Sequence, residues 1–202
     1  MTSQAANIRA TQAVVFVDKD GTLVEDVPYN ADPARVRFMP NALAGLRRLA
    51  DAGMLLMIVS NQPGLATGRI HRRDFARMQR AIDRRLLDEA GITLAAWYVC
   101  PHCPALAPDC GCRKPAPGLL RQAANEHGID LARSWMIGDI LDDVEAGRRA
   151  GCRTVLLDVG NETVWRMSVL REPHHRCPDL LQAAQVIVER HRSTAMLSSE
   201  PR

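Results

Sequence analysis

Short apolar runs alternate along this sequence with segments whose apolar residues recur at helical spacing. The first run, residues 13–17, is rich in Val and ends abruptly at Asp18, and the second, residues 54–60, again passes from apolar into polar residues. Continuous apolar runs of this length are typical of strands that are buried on both faces of a sheet. Strands that alternate with helices predict an α/β domain with a mainly parallel sheet and right-handed crossovers.

The same reading extends over most of the chain. It places further strands near residues 94–99, 135–137 and 154–157, and helices near residues 43–53, 73–91, 117–127, 142–150 and 179–191. Residues 158–178 follow neither period, so we expect an irregular segment there. The prediction is one domain over residues 13–191, with an N-terminal extension (1–12) and a disordered tail (192–202).

Length and charge exclude several classes of protein. A chain of 202 residues suits one domain with a core of its own. The 26 basic and 23 acidic residues give a net charge of +3 and form no block of like charge, which argues against a nucleic-acid partner. The apolar runs are far shorter than the roughly 18 residues that span a bilayer, and the polar start lacks a signal-peptide core. We expect a cytoplasmic monomer that binds neither membrane nor nucleic acid.

Polar clusters follow four of the predicted elements. In a parallel sheet, ligands bind beyond the carboxyl ends of the strands, so these clusters are the candidate site. An isolated Asp-x-Asp is more often a turn or a helix cap, but four such clusters together are far more specific. They are Asp18 with Asp20, Ser60 with Asn61, Lys114, and Asp139 with Asp142 and Asp143.

The carboxylates in these clusters point to a divalent cation. Asp18 and Asp20 stand two residues apart at one strand end, and adjacent carboxylates repel each other unless a cation or a proton compensates. Mg²⁺ meets that need with oxygen ligands, completed by water and a substrate phosphate. Lys114 adds a cation suited to a phosphate oxygen, and Ser60 and Asn61 add neutral donors.

A second candidate metal site lies in a proline-rich loop at residues 100–112. Four of the six cysteines fall in it, which is a metal pattern before it is a disulfide pattern, and the alternative is a cluster of reduced, buried thiols. Two pairs with one residue between their members form the natural tetrahedral zinc set, Cys100 with His102 and Cys110 with Cys112. Cys103 is then spare. A closed set of four ligands leaves no position for water, so this zinc would be structural and would fix the loop that precedes Arg113 and Lys114.

Four motifs of this chain resemble those of the haloacid dehalogenase (HAD) superfamily of phosphohydrolases. The motifs are Asp18-Lys19-Asp20-Gly21-Thr22, Ser60-Asn61-Gln62, Lys114, and Gly138-Asp139 with Asp143. The Asn-Gln-x-Gly stretch and the Cys-x-His loop narrow the resemblance to the D-glycero-D-manno-heptose 1,7-bisphosphate phosphatases and the histidinol-phosphate phosphatases. It implies a three-layer Rossmann-like HAD fold without a separate cap domain, since only a short loop follows Thr22, and a phosphorylated sugar as substrate.

The resemblance also implies a role for each matched residue. Asp18 would be the nucleophile that forms an aspartyl-phosphate, and Asp20 the general acid and then the general base. Asp18, the main-chain carbonyl of Asp20, and Asp139 would hold Mg²⁺, with Asp143 orienting those ligands. Phosphate and substrate contacts would come from Ser60, Asn61, Arg113 and Lys114. Pro63 and Thr67 replace the serine and arginine usual in the heptose enzymes, at positions expected beside the substrate, and Arg69 is a further candidate contact.

Three alternatives stay open from the sequence. Histidinol phosphate or another small phosphomonoester would need the same chemistry. A receiver-like signalling domain also carries acids, a hydroxyl and a lysine at its strand ends, but Asp20 argues against it, because a second carboxylate promotes turnover of a phospho-aspartate. A zinc module for nucleic acid or protein is disfavoured, because the loop presents mostly Pro, Ala and Leu.

Overall fold

The computed structural model describes residues 13–198, with side chains as far as Arg192. The expected N-terminal extension, residues 1–12, lies outside the described residues. Six strands form one sheet, and every strand pair in it is parallel. The strands are β1 (Val14–Val17), β2 (Leu55–Asn61), β3 (Ala96–Cys100), β4 (Trp135–Gly138), β5 (Arg153–Leu157) and β6 (His175–Cys177). The prediction of a mainly parallel α/β sheet is confirmed.

Five helices cover the two faces of the sheet. They are α1 (Ala42–Asp51), α2 (Arg72–Ala90), α3 (Gly118–His127), α4 (Leu141–Ala150) and α5 (Leu180–Ser198). Alternate residues of each strand point to opposite faces. Val15 and Val17 pack in one apolar core with buried residues of α1, α2 and α5, whereas Val14 and Phe16 pack on the other face against α3. The result is the expected three-layer architecture.

Two predictions for the C-terminal region differ from the structure. The segment 158–178, which we expected to be irregular, contains β6. This short edge strand is only partly buried, so its sequence lacks the apolar pattern by which a strand is predicted. Helix α5 continues past the expected end at residue 191 to Ser198, because no Gly or Pro interrupts the chain there. The first residues of the expected disordered tail are therefore helical, and residues 199–202 lie outside the description.

The strand order β3-β2-β1-β4-β5-β6 decides where a site forms. The chain runs outward from β1 to β3 and then returns to place β4 on the other side of β1. Crossovers on the two sides of such a point diverge and leave a crevice beyond the carboxyl ends of the central strands. Residues 18–41, between β1 and α1, form a loop with one 3₁₀ turn (Pro33–Arg35), so no cap domain is inserted there. Among residues 13–198, no helix has both the length and the apolar character needed to cross a membrane.

Candidate active site

The crevice between β1 and β4 holds Asp18 and Asp139, which follow these two strands directly. The Asp18 main-chain N–H donates to the Ile137 carbonyl (2.9 Å), so the parallel pairing continues to the first acidic residue. Both carboxylates are buried, with 8% and 5% of the residue exposed. The sheet topology therefore brings together two acids that are far apart in sequence.

Lys114 lies between two of the carboxylates. Its ammonium group is 2.6 Å from Asp18 Oδ1 and 2.6 Å from Asp143 Oδ1, and it also donates to the Val59 carbonyl (2.9 Å). Burial by itself lowers the pKa of Lys114, but the carboxylates of Asp143 and Asp18 outweigh burial and raise it above its ordinary value. Lys114 is therefore a fixed cation at the base of the crevice.

Asp20 is held at the rim by its neighbours. Its carboxylate pairs with Lys19 and accepts a hydrogen bond from Gln62 Nε2 (2.7 Å). The same amide nitrogen donates to the Ser60 hydroxyl (3.0 Å), which is buried. Burial raises the pKa of Asp20, and Lys19 opposes that rise. Asp20 thus binds protons more readily than a free aspartate does, while its side chain stays partly open to solvent.

Asp139 receives one neutral donor on each carboxylate oxygen. Thr22 Oγ1 donates to Oδ1 (2.8 Å), and Asn161 Nδ2 donates to Oδ2 (2.8 Å). Burial, followed by the charge of Asp18, raises the pKa of Asp139 to about 6. Neither donor carries a charge, so the negative charge of the ionised carboxylate stays available to a cation.

Asn61 fixes the main chain of Lys114. Its side-chain amide donates to the Lys114 carbonyl (3.1 Å), and its side-chain oxygen accepts from the Lys114 N–H (3.0 Å). Asn61, which we expected to contact substrate, also lines the cavity described below. The reciprocal pair joins the end of β2 to the start of the segment that leads into α3.

The carboxylates are suited to a divalent cation. Ligand oxygens of Asp18, Asp139 and Asp143 all lie within 4.8 Å of one another, and all three residues are buried. Together with Asp20 they supply four carboxylates, against the two ammonium groups of Lys19 and Lys114. Burial raises the pKa of Asp20, Asp139 and Asp143, which shows that the grouped negative charges are unfavourable without a cation, and hard oxygen ligands are what Mg²⁺ prefers.

The four residues predicted to bind zinc come together in the loop that follows β3. Their ligand atoms form a compact tetrahedron whose six edges measure from 3.0 to 3.7 Å. The three sulfur–sulfur distances, 3.1, 3.2 and 3.7 Å, are far longer than a disulfide bond and do not exceed the roughly 3.8 Å between two sulfurs on one tetrahedral zinc. Cys103 lies outside the group, which comprises Cys100, His102, Cys110 and Cys112.

The loop that carries these four residues, 100–112 (the zinc loop), is followed directly by residues of the crevice. Arg113 and Lys114 follow Cys112 in the chain, and Arg113 Nη1 approaches the His102 carbonyl (3.5 Å). The Gly118 N–H donates to the Gly111 carbonyl (3.0 Å), which closes the loop against the start of α3. The conformation of the four-ligand cluster therefore sets the path of the chain that carries Lys114.

A cavity of about 380 Å³ opens above these groups. Its walls include Asp18, Asp20, Asn61, Arg113, Lys114 and Asp139, together with Tyr29, Pro63 and Asn161. Its volume is within the range of small-molecule sites. Pro63 lines this cavity, whereas the exposed Thr67 hydroxyl turns back toward the Pro63 carbonyl (3.3 Å). Arg69 stacks over the Tyr29 ring at 4.5 Å, at the edge of this cavity.

Three contributors received no role from sequence reasoning. Thr22 and Gln62 belong to the sequence motifs quoted above. Their closeness in sequence to the other motif residues could have indicated that they contribute to the site. Asn161 lies in the segment read as irregular, and a lone asparagine in such a segment is not distinctive. Only the fold brings it to Asp139, whose side chain it contacts across 22 positions of sequence.

Comparison with known proteins agrees with this architecture. The HAD-hydrolase-like family profile matches residues 111–183. A D-glycero-β-D-manno-heptose-1,7-bisphosphate 7-phosphatase of Haemophilus ducreyi is 37% identical over 147 residues, which cover 71% of this chain and 81% of the relative. A D-glycero-α-D-manno-heptose-1,7-bisphosphate 7-phosphatase of Photorhabdus laumondii is 34% identical over 158 residues, covering 74% of this chain and 85% of the relative.

A solved structure matches the fold over nearly its whole length. It is the D,D-heptose 1,7-bisphosphate phosphatase of B. bronchiseptica complexed with magnesium and phosphate. The TM-score is 0.80 at 29% sequence identity, with 89% of this chain and 99% of that chain covered.

Proposed function

The chain belongs to the HAD-hydrolase-like family of heptose-1,7-bisphosphate 7-phosphatases, and from that membership we propose that it removes the 7-phosphate of D-glycero-D-manno-heptose 1,7-bisphosphate. The structural observation that carries the phosphatase chemistry is the ion pair of Asp18 with Lys114 in the same cavity as Asp20 and Asp139. A nucleophilic carboxylate, a second acid and a fixed cation are suited to phosphate-monoester hydrolysis through an aspartyl-phosphate. The reaction is a hydrolysis of a phosphoric monoester.

The cavity residues fit magnesium. Asp18 and Asp139, with the main-chain carbonyl of Asp20, would hold the ion, and Asp143 would orient Lys114 and Asp18 around it. When bound, Mg²⁺ supplies positive charge to the phosphoryl oxygens and helps to align the phosphate with the nucleophile. The ligand set is supported by the surplus of carboxylates over ammonium groups.

The first step of the proposed mechanism is attack by Asp18. A carboxylate oxygen of Asp18 forms a bond to phosphorus while the bond from phosphorus to the sugar oxygen breaks. Lys114, already 2.6 Å from Asp18, donates to a phosphoryl oxygen and offsets its charge. The Ser60 hydroxyl accepts from Gln62, so its own proton is available to a second phosphoryl oxygen.

Asp20 moves the protons of both steps. In the first step its carboxyl group gives a proton to the leaving alkoxide, a role that its raised pKa favours. In the second step the resulting carboxylate takes a proton from the water that attacks the aspartyl-phosphate, which releases inorganic phosphate and restores Asp18. The presence of Asp20 beside Asp18 favours turnover over the persistent phospho-aspartate of a receiver-like signalling domain.

Zinc has a structural part in this proposal. The ligand set of three thiols and one imidazole leaves no position for water, so the ion would fix the loop that presents Arg113 and Lys114. Arg113 lines the cavity and offers a second cation to the phosphorylated sugar.

We further propose that the protein works as a monomer in the cytoplasm, where a reducing environment keeps such thiols available to a metal.

A substrate panel tests the proposed function. Phosphate release is measured for both anomers of the heptose bisphosphate, histidinol phosphate and simple sugar phosphates, with and without Mg²⁺. We expect the highest kcat/KM for a heptose bisphosphate, with NMR showing loss of the 7-phosphate and retention of the 1-phosphate. A higher kcat/KM for histidinol phosphate would reassign the substrate, and comparable low activity on all compounds would indicate a general scavenging phosphatase.

A further inference from the structure

The segment between β5 and β6, residues 158–174, crosses the amino-terminal end of α4 and is called the strap here. Its middle part is exposed and apolar, but polar contacts fasten both ends. At the first end, Glu162 Oε2 accepts from the Leu141 main-chain N–H (2.9 Å). At the other end, Arg171 binds Asp142 (2.8 Å) and Glu145 (2.6 Å) on α4. The strap is therefore attached to the helix that begins beside Asp139.

Asn161 extends from the strap to Asp139. Its side-chain amide donates to Asp139 Oδ2 (2.8 Å), and Asn161 lines the cavity although it is an exposed residue. An exposed asparagine contributes little to the apolar core, and holding it in one conformation costs side-chain entropy. The contact is therefore better explained by what it does to Asp139 than by overall stability.

The contact also leaves Asp139 little freedom. Thr22 donates to the other carboxylate oxygen (2.8 Å), and Gly21 packs closely against the side chains of Asp139 and Asn161. A Cβ atom on Gly21 would overlap Asp139 Oδ2 and Asn161 Nδ2, and the φ of 79° at Gly21 is one that glycine adopts freely. Donors on both sides fix the plane of the carboxylate.

We propose that Asn161 is a positioning residue for Asp139, and that it sets the affinity of the site for Mg²⁺. This inference rests on the proposed function, in which Asp139 is a magnesium ligand. A neutral donor suits the task, because it orients the carboxylate without competing with the cation for charge. Glu162, bonded to the Leu141 and Val164 N–H groups, fixes the neighbouring main chain and hence the reach of Asn161.

The test compares magnesium binding by the wild type, Asn161→Ala and Asn30→Ala, without substrate. Asn30 is a matched control, because it lines the same cavity but bonds to the Asp32 main chain (2.9 Å). Binding is measured by calorimetry and by the rise of the unfolding midpoint with MgCl₂. We expect Asn161→Ala to bind Mg²⁺ about 10- to 100-fold more weakly, as is typical when a partner of a metal ligand is removed. Asn30→Ala should bind as the wild type does.

Kinetics separate positioning from a contact with substrate. For Asn161→Ala, saturating Mg²⁺ should restore kcat with an unchanged KM for the sugar, whereas a substrate contact would raise KM at every Mg²⁺ concentration. Asn161→Leu keeps most of the side-chain volume but removes the amide donor. It replaces Asn161→Ala in the same measurements if the alanine variant is unstable. Wild-type affinity in either variant, or a KM effect that persists at saturating Mg²⁺, overturns the inference. Failure of the wild type to bind Mg²⁺ would instead contradict the proposed function, and the inference with it.

Discussion

At the residue scale, the candidate site depends on Asp18, which contacts Lys114 and lies beside Asp139. Asp18→Asn keeps the size of the side chain but removes the nucleophilic charge. We expect phosphate release to fall by roughly 1000-fold or more, because the neutral amide cannot attack phosphorus as the carboxylate does. Far-UV circular dichroism should match the wild type. Asp26, exposed on the same cavity, provides the matched control Asp26→Asn. Normal turnover by Asp18→Asn would remove Asp18 from the nucleophile role.

Lys114 offers a second test at this scale. The residue is 2% exposed and lies between Asp18 and Asp143, so Lys114→Met leaves two buried carboxylates without their cation. We expect the free energy of unfolding, measured with urea and no added Mg²⁺, to fall by about 3–5 kcal/mol. The double variant Lys114→Met/Asp143→Asn should recover part of the loss, because one uncompensated charge is gone. A loss below about 1 kcal/mol would mean that the ion pairs contribute little.

At the element scale, the loop that carries the four proposed zinc ligands leads directly in the chain to Arg113 and Lys114. We expect purified protein to contain about one zinc per chain by elemental analysis, and Cys110→Ser to lose most of it. Turnover should then fall by about 100-fold, because a small displacement of Lys114 misaligns the phosphate. Cys103→Ser is the matched control, since Cys103 lies outside the four-ligand group. Equal zinc loss in both variants would contradict the assigned ligand set.

The contact between α1 and α5 is another element-scale feature. A Cβ on Gly45 of α1 would overlap the main-chain carbonyl of Leu180, at the start of α5. We expect Gly45→Ala to lower the free energy of unfolding by about 1–3 kcal/mol, because the helices must separate. Ala44→Ser, on the exposed side of the same turn, should change it by no more than about 0.5 kcal/mol. Wild-type stability of Gly45→Ala would show that the contact adapts.

At the scale of the whole molecule, stability should depend on pH through His174, which links the strap to β5 and α4. His174 Nδ1 lies 3.0 Å from the Thr154 main-chain nitrogen, and Nε2 lies 2.9 Å from an Arg148 guanidinium nitrogen. Burial, followed by the charge of Arg148, lowers the pKa of His174. Its contribution to stability is therefore present above the unfolded pKa of about 6.5 and is lost as the pH falls through that value toward the lower folded pKa.

The variant His174→Gln isolates this effect. Gln cannot titrate, so the difference in unfolding free energy between wild type and variant should shift in favour of the variant as the pH is lowered from 7.5 to 5. Denaturant unfolding at each pH measures that difference. A difference that does not change with pH would show that His174 has the same proton affinity in the folded and unfolded chain.

The sequence determined the parts of this protein that depend on local patterns. Buried apolar runs specify strands, helical periods specify the helices that cover them, and abrupt polar ends place Asp18, Asn61 and Asp139 at one edge of the sheet. The candidate metal cluster could also be predicted, because Cys100, His102, Cys110 and Cys112 are close in the chain. Strand β6 was not predicted, because a short and only partly buried edge strand does not require a regular pattern of apolar residues.

Only the tertiary structure decided which of these groups meet. The return of the chain to place β4 beside β1 brings Asp139 to Asp18, and the path of the zinc loop brings Lys114 between Asp18 and Asp143. Asn161 contacts Asp139 because the strap crosses the start of α4, and no local pattern encodes that crossing. Local sequence fixes the period of burial within an element, whereas contacts between distant elements depend on how the whole sheet and its crossovers pack.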